Sequence, residues 1–111
     1  MIRYNLGILA EYCVLIYYLI RLYQPLHHRY KSYVGEIDLI MKRGNQLVFI
    51  EVKARKHGLH DGIVSDNQQQ RITRTAELFI TKHPQYKRYN MRFDLVVVKP
   101  YRLPRIIKNA W

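Results

Sequence analysis

Two short apolar runs in the middle of the chain predict a β-hairpin. Residues 36–41 and 47–53 are rich in Ile, Val and Phe, a composition typical of strands. Between them, Gly44 and Asn45 form the central pair of a two-residue turn signal. A turn at these two positions also fixes the register of the hairpin, and therefore predicts which side chains face each other.

The N-terminal stretch predicts a helix. It runs from Asn5, which is a suitable cap, to about Leu22, and Pro25 stops it. The stretch is apolar on most faces, so we expect this helix to pack against a sheet rather than to lie at the surface.

The remaining elements complete an α/β pattern. A short strand is predicted over residues 27–33, and a second helix begins at Ser65 or Asp66 and runs to about Lys82. The run Leu-Val-Val-Val marks residues 91–98 as a buried strand. The order α-β-β-β-α-β, within 111 residues, predicts a single α/β domain.

The charge balance favours a polyanionic partner. Lys and Arg number 19 against 8 Asp and Glu, which gives a formal net charge of +11. DNA, RNA or an acidic membrane surface is the partner that such a charge favours, and the basic residues are dispersed, as on a folded basic face. A merely solubilising surface is the alternative interpretation.

The same composition argues against other classes of site. Cys13 is the one cysteine, so no internal disulfide is expected, and its apolar surroundings predict a buried structural thiol. The five histidines form no zinc pattern. Glu11 interrupts the apolar stretch before it reaches the roughly 20 residues that a membrane span needs. We therefore expect a cytoplasmic protein that is not inserted in a membrane.

The predicted hairpin gathers the candidate chemistry. Its register sets Asp38 opposite Glu51, and Glu36 opposite Lys53, while Glu51 and Lys53 share one face of their strand. Two facing carboxylates in a half-buried position repel each other unless a cation lies between them. Mg²⁺ accepts such carboxylates together with waters and substrate phosphate, and a neighbouring lysine can orient or deprotonate a water. A solvated cross-strand charge cluster is the alternative.

The motifs resemble a nuclease signature. The segment Gly-Glu-Ile-Asp ending at Asp38, twelve further residues, and Glu-Val-Lys over residues 51–53 resemble the D-x(n)-E-x-K pattern of the PD-(D/E)xK nucleases. The ordered blocks along nearly the whole chain resemble the YraN family, which is related to the archaeal Holliday-junction resolvases. This resemblance implies a restriction-endonuclease-like core, with a mixed central β-sheet flanked by helices.

The resemblance also implies the site. It makes Asp38, Glu51 and the Val52 carbonyl ligands of Mg²⁺ or Mn²⁺, makes Lys53 the catalytic lysine, and matches Glu11 to a helical glutamate that often completes the metal site. The alternative for Glu11 is a salt bridge to Arg3 or Arg29. Residues expected to contact nucleic acid are Arg55, Gln69, Arg71 and Arg74.

Several positions depart from the family pattern or remain ambiguous. Ile37 stands in place of the proline of the superfamily's name, and Gln68 stands where a lysine is expected, which could weaken phosphate contact. Arg92 and Asp94 are assigned a structural role. The tyrosines that lie among basic residues suit either base stacking or packing on the sheet; they are Tyr86, Tyr89 and Tyr101.

Three functions follow from these features. The first is a metal-dependent nuclease that hydrolyses phosphodiester bonds in nucleic acid, with branched DNA among the candidate substrates. The second is a nucleic-acid-binding module that keeps the nuclease fold without turnover, and the third is a peripheral membrane protein. A homodimer is expected only by analogy with junction resolvases.

Overall fold

A five-stranded sheet in the order β1-β2-β3-β4-β5 organises the protein. The computed structural model describes residues 6–55, 64–100 and 102–111. The first three strands form an antiparallel meander, β4 runs parallel to β3, and β5 returns antiparallel to β4. The elements are α1 (Leu6–Ile20), β1 (Gln24–Lys31), β2 (Glu36–Arg43), β3 (Gln46–Ala54), α2 (Asp66–Lys82), a 3-10 turn (Pro84–Tyr86), β4 (Asn90–Val98) and β5 (Arg105–Ile107).

The two helices pack on separate hydrophobic clusters of the sheet. Ala10, Val14 and Tyr18 of α1 are buried in one cluster, whereas Ile72 and Phe79 of α2 are buried in the other. In β3, the alternation of a strand sends Val48 and Ile50 to the α1 cluster and Leu47 and Phe49 to the α2 cluster. The α/β class and the mixed sheet predicted from the sequence are confirmed.

The first helix differs in detail from its prediction. It ends at Ile20, and Pro25 lies inside β1 rather than stopping the helix. The end is a Schellman-type turn, in which the Leu22 N–H donates to the Leu19 carbonyl and the Tyr23 N–H donates to the Tyr18 carbonyl. Leu22 therefore takes the left-handed conformation, with φ 69°. The predicted cap, Asn5, lies outside the described residues.

One face of α1 is exposed, so the prediction of a buried Cys13 is wrong. Cys13 is a free, exposed thiol, and it shares its face of the helix with the exposed residues Tyr12 and Ile16. The helix is apolar on more faces than the sheet can cover, and the composition alone does not show which face is left outside. Within the described residues, neither helix is both long and apolar enough to cross a bilayer.

Candidate functional site

The hairpin turn and its register are as predicted. Gly44 has φ 59°, a conformation that glycine adopts without strain. Pairing between β2 and β3 runs from Arg43 opposite Gln46 to Leu39 opposite Ile50. The next position along β2 is Asp38, and it therefore lies beside the carboxyl end of β3.

Asp38 is tied to β3 through its side chain. Its Oδ2 accepts a hydrogen bond from the Val52 N–H at 2.8 Å, and it lines the same cleft as Glu51. Lys53 lies on the same strand, with its Nζ 3.9 Å from Glu51 Oε2. The structure thus brings together the two acids and the lysine that the sequence analysis singled out.

The electrostatics of Glu51 are unusual for a carboxylic acid. The residue is only 7% exposed. Burial, and then the adjacent Asp38 carboxyl, raise the pKa of Glu51 to about 9, and the Lys53 ammonium opposes this shift. Glu51 therefore keeps its proton near neutral pH, mainly because burial penalises the charged form.

Gln68 completes this cluster, and sequence reasoning missed that role. Ser65 caps α2 by accepting a hydrogen bond from the Gln68 N–H, which places Gln68 in the first turn of the helix. The Gln68 side chain donates through Nε2 to Glu51 Oε2 and accepts through Oε1 from Lys53 Nζ at 3.3 Å. Two features of the sequence could have indicated this role. Gln68 lies three residues after the predicted cap Ser65, and it stands where the family pattern has a lysine.

The cluster lies in an open cleft of about 580 Å³. The turn between β1 and β2, residues 31–36, forms one wall, and the N-terminal part of α2 forms another. Lys31 and Arg71 line the cleft and are exposed, so two cations flank the carboxyl pair and Lys53. An anionic ligand with an internal phosphate would meet positive charge on both walls.

The residues predicted to contact nucleic acid do not all reach this cleft. Arg71 lines it, and Arg74 lies one turn further along α2, in two neighbouring depressions. Gln69 instead donates to the Val64 carbonyl, and Arg55 donates to the Ala54 carbonyl. Gln69 and Arg55 thus contact backbone carbonyls close to them in the chain, and neither lines the cleft.

Glu11 is held by two side chains of β1. It lies on α1, which packs on the cluster opposite α2, and its Oε1 is 2.7 Å from His28 Nε2 and 3.1 Å from Arg29 Nε. The contact with Arg29 is the salt bridge of the alternative interpretation. Glu11 is not among the residues that line the cleft, but Arg29 also interacts electrostatically with Asp38, and a metal-binding role of Glu11 stays a prediction. His27 points away from His28, toward Phe79 of α2, as the alternation of a strand requires.

Two of the three tyrosines that lie among basic residues follow the packing alternative. Tyr86 and Tyr89 pack against the α2 cluster, while Tyr101 lies outside the described residues. The tyrosine that faces solvent at the cleft is Tyr33, which is 89% exposed. The sequence pattern places Tyr33 at the end of a predicted strand, and its neighbours in sequence do not indicate that it lies in a turn.

The donor set fits one divalent cation. Among the described residues, no cluster of three acidic, histidine or cysteine side chains could hold an ion unaided. Mg²⁺ needs only one or two carboxylates when waters and substrate phosphate supply the other ligands, and Asp38 and Glu51 supply two. Val52 lines the same cleft, and its carbonyl stays a predicted ligand.

These features define a class of protein. An α/β core with a mixed sheet, helices on both faces, and an acid–acid–lysine cluster at the end of a β-hairpin is compatible with a nuclease-like core. The chain belongs to the uncharacterised protein family UPF0102, whose sequence profile matches residues 10–98. This is the YraN family, so the resemblance seen in the sequence is confirmed.

Similar proteins come from several bacteria. The chain is 36% identical over 110 residues to a UPF0102 protein of Nitrobacter winogradskyi, an alignment that covers 97% of this chain and 92% of the relative. It is 35% identical to one from Parvibaculum lavamentivorans, with 97% and 82% covered. It is 42% identical over 90 residues to one from a Chelativorans species, with 80% and 73% covered.

Proposed function

We propose that this protein is a divalent-metal-dependent nuclease that hydrolyses phosphodiester bonds in nucleic acid, with DNA as the first substrate to test. The observation that carries the proposal is the placement of the half-buried Asp38 and the buried Glu51 in one cleft by the hairpin register, with Lys53 beside them. A carboxyl pair of this kind is costly to bury unless a cation compensates it. The formal net charge of +11 supports a polyanionic substrate.

Each residue of the cluster has a distinct part in this reaction. Asp38 and Glu51 would hold Mg²⁺ or Mn²⁺, which when bound polarises a phosphate oxygen and lowers the pKa of a coordinated water. Lys53 lies where its ammonium group can hydrogen-bond the attacking water or a phosphate oxygen. Gln68 holds Lys53 and Glu51 together through one amide group. Lys31 and Arg71 bind the phosphates on either side of the scissile bond.

The direct test is cleavage by the purified protein. Supercoiled plasmid, single-stranded DNA and a four-way junction are incubated with Mg²⁺ or Mn²⁺, and with EDTA as the metal-free control. We expect metal-dependent cleavage, and a loss of roughly 10²–10⁴-fold in rate for Lys53→Met. Asp38→Asn and Glu51→Gln should abolish cleavage.

The control is Lys82→Met, which removes an exposed lysine at the end of α2 that lines neither the cleft nor the depression beside Tyr33. It should cleave like the wild type. Absence of cleavage by wild-type protein with every substrate and both metals would contradict the nuclease proposal. If salt-dependent DNA binding persisted in that case, the protein would be a binding module instead.

A further inference from the structure

Tyr33 projects from one wall of the cleft as an isolated aromatic side chain. Tyr33 is 89% exposed. Within the described part of the chain, no other ring packs on it and no hydrogen bond holds its hydroxyl. Large side chains exposed singly are common on protein surfaces, so exposure alone carries no functional meaning. The structure of the turn that carries this ring supports a functional role for Tyr33.

The turn that carries Tyr33 is rigidly built. Ser32 Oγ accepts hydrogen bonds from the N–H groups of Val34 and Gly35, each at 3.2 Å, and lies 3.1 Å from Thr75 Oγ1 of α2. The Ser32 N–H donates to the Gly35 carbonyl at 2.8 Å. The backbone on both sides of Tyr33 is therefore fixed, and the turn is fastened to α2.

Gly35 brings this turn unusually close to α2. A Cβ at this position would lie 3.1 Å from Thr75 Oγ1, 3.2 Å from Arg71 Cβ and 3.3 Å from the Arg71 carbonyl oxygen. The close approach places the turn directly against the helix that supplies Arg71 and Gln68 to the cleft. Tyr33 is thus held in a fixed position relative to the carboxyl pair, although its ring is free.

Basic side chains lie on both sides of the Tyr33 ring. On one side is the cleft, with Lys31 and Arg71 in its walls. On the other side Tyr33 lines a second depression of about 390 Å³, which contains both Arg74 and Glu77. An exposed aromatic ring beside a cleft that holds cations is the arrangement by which proteins stack on a base while the adjoining phosphates are neutralised.

We propose that Tyr33 is a stacking platform for an unpaired base next to the scissile phosphate, so that the preferred substrate contains single-stranded nucleotides. The inference rests on the proposed nuclease function and specifies its substrate class. A base in an intact duplex is covered on both faces by its neighbours, and exposing it costs a few kcal/mol. A single strand, a flap or the arm of a fork offers a free base face without that cost.

The test measures DNA binding in EDTA, so that it does not depend on metal or cleavage. Fluorescence anisotropy is followed with a labelled single strand, a forked duplex and a blunt duplex of the same sequence. Tyr33→Ser should weaken binding of the single strand and the fork by roughly 5- to 100-fold, which corresponds to the loss of one stacked base. Binding of the blunt duplex should change by less than about twofold.

Three further variants make the result specific. Tyr33→Phe and Tyr33→Trp keep a ring and should restore binding of the single strand. Tyr12→Ser is the matched control, because Tyr12 is exposed on α1 and does not line the cleft. If the Tyr33 ring stacks on the base, the fluorescence of a 2-aminopurine in the bound single strand should be quenched by the wild type. Tyr33→Ser should remove that quenching.

The failure of this inference is distinguishable from the failure of the proposed function. If Tyr33→Ser binds all three DNAs like the wild type, while Arg71→Ala weakens binding of each, the stacking role is wrong and the nucleic-acid function stands. If the wild type binds none of the three, the proposed function itself is contradicted, and the role of Tyr33 with it.

Discussion

The buried carboxyl group of Glu51, beside Asp38, is the central feature at the scale of single residues. Glu51 is buried against Asp38, and its nearest compensating groups are the Gln68 amide and the Lys53 ammonium. Under the proposed function a cation binds here, and without one the arrangement costs stability while Glu51 is ionised. Two substitutions at this scale separate the role of the site in stability from its role in function.

Glu51→Gln should stabilise the protein and inactivate it. The pKa of Glu51 is about 9 in the folded protein and close to 4.3 in an unfolded chain. Between these values the folded state retains a proton that the unfolded state loses, so the free energy of unfolding of the wild type falls as pH rises. The glutamine variant lacks this titration.

The measurement is urea unfolding in metal-free buffer at intervals from pH 4 to pH 9. The variant and the wild type should have similar stability near pH 4, and the variant should become progressively more stable above it. Equal slopes against pH for the two proteins would show that Glu51 does not hold a proton in the folded state.

Gln68→Leu should impair the site without disrupting the fold. The leucine removes the hydrogen bond to Glu51 and the contact with Lys53, so the two groups lose their common anchor. Outer-shell partners of this kind are worth roughly 10- to 100-fold in metal affinity or activity. Gln70→Leu is the matched control, since Gln70 is exposed in the same helix and outside the cleft. Equal cleavage rates for both variants would contradict the role of Gln68.

At the scale of elements, two turns position the site in different ways. The β2–β3 turn sets the register of the hairpin, and its Gly44 has open space around it. The β1–β2 turn sets the wall of the cleft, and its Gly35 is closely surrounded by Thr75 and Arg71. The two glycines are therefore required for different reasons, a backbone conformation in one case and a close approach in the other.

Gly35→Ala should destabilise the protein by about 1–3 kcal/mol, as overpacking does at closely packed positions. The contacted Arg71 carbonyl belongs to the helix backbone and cannot move aside easily. The matched control is Gly44→Asn, because asparagine tolerates a positive φ and no atom crowds that position. Chemical denaturation gives the free energy of unfolding of both variants. An equal loss of stability in Gly44→Asn and Gly35→Ala would contradict the close approach at Gly35.

At the scale of the whole molecule, a buried ion pair links distant parts of the chain. Asp94 of β4 is fully buried; it accepts two hydrogen bonds from Arg92, at 2.8 and 2.9 Å, and one from the Tyr18 hydroxyl of α1 at 2.8 Å. The Asn109 N–H donates to the same carboxylate at 3.1 Å. The structural role assigned to Arg92 and Asp94 agrees with this network, which joins α1, β4 and the C-terminal segment.

Asp94→Ala should cost about 3–5 kcal/mol, because it leaves the Arg92 guanidinium without its buried partner. Glu77→Ala, at an exposed position of α2, should change stability by less than about 0.5 kcal/mol. Thermal or urea unfolding measures both variants. A small effect of Asp94→Ala would mean that water or another acceptor replaces the carboxylate.

Local signals made part of this molecule predictable. The Gly44-Asn45 turn fixes the hairpin register within a few residues, so the placement of Asp38 and Glu51 in one cleft could be anticipated. Likewise, the Ser65 cap is a local signal for the start of α2.

Long-range packing set the limits of sequence reasoning. The contact of Glu11 with His28 was not predicted, and Cys13 is exposed. The position of Tyr33 depends on how closely Gly35 approaches α2. These features follow from how helices dock on the sheet, and a single sequence does not specify that docking.

Titration calorimetry with Mn²⁺, in two pH 7 buffers of different ionisation enthalpy, addresses the shared-cation hypothesis directly. We expect one ion to bind per wild-type chain with release of about one proton, because Glu51 must ionise to become a ligand. Asp38→Asn should bind far more weakly, and Glu51→Gln should show no buffer-dependent heat. Wild-type protein that binds no Mn²⁺, or Asp38→Asn with unchanged affinity, would contradict a cation shared by these two carboxyl groups.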